Sequence, residues 1–207
     1  MSLRYRSPGR LLCVLALVVA ITTSAGCAGD AGVPSVSPDD AARLTSVLAG
    51  SDRVLPAEDV TAANVIGLDL VTLVGPLTVW WDDLNDPAIT EAEWLARAPD
   101  RLASMTRTVE HMAAQLGPER APAVRTTYQP YVDRWRSILD ALAALRDAVA
   151  RRDPVAQQRA TDDYNLHRAA LARFDRIRVD RVVEVYGRAE AARALEAQGL
   201  DPSRYGL

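Results

Sequence analysis

Apolar side chains recur every three or four residues through most of this chain, and the spacing breaks only where glycine or proline intervenes. That period puts one apolar face on a helix; a half-buried strand would need strict alternation. One stripe runs through Val60, Ala63, Ile66, Leu70, Leu73 and Leu77, and a second through Trp94, Ala98, Leu102, Met105, Val109, Met112 and Leu116. A third joins Tyr128, Tyr131, Trp135, Ile138, Leu142, Leu145 and Val149. A fourth takes Ala160, Tyr164, His167, Leu171, Phe174 and Ile177 as its inward face.

The punctuation fits the stripes. Ser37-Pro38-Asp39-Asp40 is a helix start, with a serine cap, proline at the first helical position and acids in the first turn; Gly50 ends that short helix. Asn85-Asp86-Pro87 stops the first long helix, Thr90 with Glu93 forms a capping box for the second, and Gly117-Pro118 closes it. Asp153-Pro154 starts the fourth. Gly75-Pro76, Pro99 and Pro130 are expected to bend helices without ending them. Residues Ile177 to Tyr186 are valine-rich and partly alternate, but no glycine or proline interrupts Val155 to Tyr186, so the segment stays helical. The fold class is therefore all-α: an up-and-down antiparallel bundle of four long helices, preceded by a short N-terminal helix, within residues 38–207.

Composition closes several functional classes. The chain contains no lysine, which excludes P-loop, Schiff-base and Ser-Lys chemistry. Its bias to arginine and alanine suits a GC-rich, actinobacterium-like genome. The two cysteines are Cys13 and Cys27, both near the N-terminus, so the bundle has neither a disulfide nor a thiol nucleophile. Without residues 1–26 the charge falls from −3 to −6, because that stretch holds three arginines and no acid. An acidic domain is a poor partner for nucleic acid.

Those first residues have their own pattern. Arg4, Arg6 and Arg10 precede the apolar run Leu11 to Ile21, and Thr22-Thr23-Ser24 leads into Ala25-Gly26-Cys27. This is the layout of a secretory signal, and the run is too short to span a membrane. With cysteine at the junction it resembles a bacterial lipoprotein signal, departing from that family where Ser24 replaces the usual aliphatic residue. The resemblance implies that 1–26 is removed and that Cys27 carries lipid. Residues 27–37 would then form a tether, and the domain would sit at the outer face of the cytoplasmic membrane, where an unidentified envelope protein is the expected partner.

Inside the bundle no constellation announces an enzyme, and no metal or cofactor is expected. A di-iron site needs Glu-x-x-His on two helices. Here Glu110 and His111 are adjacent, Asp163 and His167 form one pair, and the two histidines fall roughly 20 Å apart along the axis. Arg168, Arg173, Arg176, Arg178 and Arg181 alternate with acids and read as a salt-bridged face. The aromatic cluster is the candidate site. Trp80 and Trp81 end one long helix, Trp94 begins the next, and the up-and-down topology brings Asp162 and Asp163 to the same end as Asp82 and Asp83. The ordinary role of such tryptophans is to cap the core. The functional alternative is an apolar slot rimmed by acids, suited to a cationic or sugar-like ligand, or to a protein partner.

Overall fold

The computed structural model describes residues 37–196 and 202–207; the signal, Cys27 and nearly all of the tether fall outside them. Six helices follow in order: α1 (Pro38–Leu48), α2 (Ala57–Asn85), α3 (Glu91–Ala114), α4 (Pro122–Ala150), α5 (Pro154–Tyr186) and α6 (Arg188–Glu196), then a 3₁₀ turn at Pro202–Tyr205. No strand occurs among the described residues. The valine-rich stretch 177–186 is the last part of α5 and is helical.

The expected caps are in place. Ser37 Oγ accepts from the Asp40 N–H at 3.1 Å. The Thr90 and Glu93 side chains each accept the other's backbone N–H, at 3.2 and 2.8 Å. Asp153 Oδ1 accepts from the N–H groups of Val155 and Ala156. Pro76, Pro99 and Pro130 each lie inside a continuous helix.

Helices α2 to α5 run up and down, each packing on the next, and α4 with α5 forms the largest interface. The second and third stripes are buried almost throughout, as is the first from Ala63 to Leu77, and together they make one core. By length and composition α2 could cross a membrane, with a mean hydropathy of 1.6 over its most apolar 18 residues. Its Leu70, Leu73 and Leu77 are instead fully buried within the bundle.

The fourth stripe departs from expectation. Ala160, Tyr164 and Leu171 are buried, but the inward line then continues through Asp175, Arg178, Val179 and Val182. Ile177 is 65% exposed, and Phe174 and His167 are only partly covered. From Leu171 the helical period reaches 175, 178 and 182 as well as 174 and 177, and selection by hydrophobicity passed over the two charged members.

Helix α1 lies against α5 and α2 at the end away from the tryptophans. A second small core joins its Val47 and Leu48 to Val179 and Val182 of α5, Ala191 of α6 and Tyr205. Gly187, at φ +83°, turns the chain from α5 into α6, a separate helix that the stripe pattern did not mark off. Arg176 Nη1 donates to the Tyr205 carbonyl at 2.6 Å and holds the C-terminal turn to α5.

Candidate functional site

The topology delivers the predicted meeting at the tryptophan end. Trp80 packs edge-on against Trp94, ring centres 4.9 Å apart, and Trp81 reaches across to Tyr164 of α5 at 4.8 Å. Trp94 Nε1 also donates to the Trp80 carbonyl at 3.3 Å. The indoles are sealed from solvent. Trp80, Trp81 and Trp94 are 0%, 2% and 1% exposed, so their faces serve one another and the core.

Two of the acids are held by neighbouring side chains. Asp83 binds Arg97 at 3.3 Å and Arg101 more closely, tying α2 to α3. Desolvation raises its pKa, but the Arg101 and Arg97 guanidiniums outweigh it and hold the carboxyl below the usual range. Asp162 accepts from Gln158 Nε2 at 2.8 Å along its own helix, and Asp82 and Asp163 are exposed. The histidines have different partners: His111 Nδ1 lies 2.7 Å from Asp69, and His167 Nδ1 lies 3.1 Å from Arg134. No group of three metal-ligating side chains occurs among the described residues.

A different arrangement lies at the opposite end, on the order of 25 Å away along α2. Arg178, only 7% exposed, is buried between α1, α4 and α5. Its Nε donates to the carbonyl of Leu48, the last residue of α1, at 3.3 Å, and its Nη2 donates to the Tyr128 hydroxyl at 3.2 Å. The guanidinium also lies 5.1 and 5.6 Å from the ring centres of Tyr128 and Tyr131. The Tyr131 hydroxyl in turn donates to Asp175 Oδ1 at 2.8 Å.

These contacts make electrostatic sense of an otherwise costly burial. An arginine and an aspartate one helical turn apart offset each other's charge, and tyrosines and a helix-end carbonyl supply their hydrogen bonds. Burial still pushes the Asp175 carboxyl up to about 6, against the lowering effect of Arg178 and the Tyr131 hydrogen bond. Desolvation likewise drives the Tyr131 hydroxyl far above its ordinary value, so it remains a donor.

Beside this network opens a cleft of about 270 Å³, walled by Leu48, Pro130, Tyr131, Phe174 and Ile177. Arg178, Arg181, Thr126 and Thr127 supply its polar side. Arg181 is half-buried and donates from Nη2 to Asp52 at 2.7 Å, whereas the Asp52 side chain is 93% exposed. Gly50, at φ +79°, lets the loop after α1 turn here; a Cβ on it would come within 2.9 Å of Thr127 Oγ1.

No protein-family model, curated protein or solved structure matches the chain. What it can do must be read from its own chemistry. From sequence alone the arginines of the cleft read as part of a salt-bridged face. The signal that separates them is register: Asp175 and Arg178 continue the 160, 164, 171 line, whereas Arg173 and Arg176 are exposed.

Proposed function

We propose that the protein is an exported, lipid-anchored helical domain that acts by contact rather than catalysis, binding an envelope partner at the outer face of the cytoplasmic membrane. The observation that carries this reading is the order Arg4, Arg6, Arg10, apolar Leu11 to Ile21, then Ala25-Gly26-Cys27, with nine residues between Cys27 and Ser37, the cap of α1. An extended tether of that length reaches about 30 Å, so lipid on Cys27 would hold the bundle close to the bilayer. The buried polar groups are compatible with a contact role. Arg178 holds the end of α1, and Asp59 accepts the Ala121 N–H just before α4 at 3.2 Å.

Fractionation of cells making the wild type and Cys27→Ala tests the anchor. The wild type should be in the membrane fraction, with a diacylglycerol-modified N-terminal peptide by mass spectrometry. Cys27→Ala should be soluble or keep residues 1–26. An unmodified wild-type chain that begins elsewhere would overturn the reading. Cross-linking of the anchored protein in intact cells should then capture the partner.

A second reading, a ligand-binding bundle, is supported by the cleft between α1, α4 and α5. The buried indoles move this reading away from Trp80, Trp81, Asp82, Asp83, Trp94, Asp162 and Asp163.

A further inference from the structure

We propose that the cleft beside Arg178 and Arg181 binds a small apolar monocarboxylate, with its hydrocarbon part against Tyr131, Phe174 and Ile177 and its carboxylate on Arg181. The proposal rests on the ligand-binding reading and gives it a ligand class.

Size limits the ligand first. A dry cavity of about 150 Å³ accepts benzene, so a volume of 270 Å³ has room for roughly ten heavy atoms. The walls decide the character of most of those atoms. Leu48, Pro130, Tyr131, Phe174 and Ile177 offer hydrocarbon and aromatic surface, which favours an alkyl or aryl body.

Charge decides the head group. Arg178 is already committed: Nε to the Leu48 carbonyl, Nη2 to Tyr128, with Asp175 one turn away as its counter-charge. Arg181 is different. Its ion-pair partner, Asp52, sits on the loop after α1 with its side chain almost wholly in water. Such a pair is worth about 0.2–1 kcal/mol, and a carboxylate brought in by a buried apolar body can displace it. The planar guanidinium then matches the carboxylate in two parallel hydrogen bonds. One exchangeable positive charge suits a monoanion; a phosphate dianion would bring more negative charge than the cleft can neutralise. A cationic ligand would meet the Arg181 guanidinium.

Hydrocinnamate is a probe of the right size, and its alcohol and amine share the same skeleton. Calorimetric titration of the full-length protein should show hydrocinnamate binding, the alcohol at least about tenfold weaker and the amine not at all. Arg181→Met should weaken hydrocinnamate by about tenfold or more while leaving the thermal midpoint nearly unchanged, because the pair it removes is exposed. Asp52→Asn, which frees Arg181, should tighten binding by about twofold to fivefold. A merely structural Arg181–Asp52 pair would not move affinity in opposite directions.

Equal binding of acid, alcohol and amine, or unchanged affinity in Arg181→Met, would reduce the cleft to an apolar crevice and overturn the proposal. Binding that shifts NMR resonances around Trp81 and Tyr164 instead of Tyr131 and Phe174 would also overturn it, but would leave the ligand-binding reading standing. If none of the three probes binds and native mass spectrometry of the purified protein shows no bound small molecule, both fail.

Discussion

Arg178 Nε reaches across the bundle to the carbonyl of Leu48 at 3.3 Å, so a side chain in the last third of the sequence caps the first helix. Helix ends leave carbonyls without internal partners, and the partial negative charge there favours a cation. Thr127 on α4 repeats the device one residue later by donating to the Ala49 carbonyl at 2.8 Å. Two bonds from two helices thus fix the end of α1 and, with it, one wall of the cleft.

Arg178→Met should therefore be severely destabilising, by about 3–5 kcal/mol in urea unfolding, because it leaves Asp175 and the Leu48 carbonyl buried without a cation. The double variant Asp175→Leu with Arg178→Met should recover part of that loss, since both charges leave together. A single variant within about 0.5 kcal/mol of wild type would show that the guanidinium does not stabilise the fold.

The three stripes that carry no charge were legible from spacing alone, and so were the caps at Ser37, Thr90 and Asp153. The inward line of α5 was not. Hydrophobicity selects Phe174 and Ile177, yet the buried positions are Asp175 and Arg178, made tolerable by Tyr128 and Tyr131 on another helix. No local signal in α5 states that those partners exist. The tryptophan end shows the converse. Sequence reasoning brought Trp81 and the 162–164 region together, but spacing could not tell a sealed indole from a reachable one.

Two substitutions separate the real stripe from the expected one. Ile177→Ser should change stability by no more than about 0.5 kcal/mol, because its side chain is largely in water. Leu142→Ala, from a fully buried position on α4, should cost about 2–5 kcal/mol. Chemical denaturation of both variants checks the pair; a large loss in Ile177→Ser would return that residue to the core.

Asp175 should give stability a distinctive pH dependence. Its carboxyl is raised to about 6 in the folded protein from an ordinary value of 3.8, so between those limits the folded state binds more protons than the unfolded one. The contribution of this group is therefore greatest below pH 4, falls as pH rises to about 6 and is constant above. The full change is on the order of 3 kcal/mol. The groups that face it are Arg178 on its own helix and Tyr131 on α4, and neither titrates in that window. Subtracting the profile of Asp175→Asn from that of the wild type should isolate the fall between pH 4 and 6; a flat difference would contradict it.

All four tryptophans, Trp135 included, are at most 2% exposed. Acrylamide should quench their fluorescence weakly in the native protein and strongly in denaturant. Trp81→Ala should destabilise by about 3–5 kcal/mol, as expected of a core position. Strong native quenching would reopen the aromatic end as a binding surface.

The cap on α1 also bears on the order in which the molecule can be completed. Leu48 and Arg178 are 130 residues apart, and a chain made from its N-terminus presents α1 long before α5 exists. Contacts of such long range are the slow ones to form. Until the last long helix arrives, Val47 and Leu48 have neither Val179 nor Val182 to cover them. The first of the described helices to emerge waits for the last long one before its apolar end is covered.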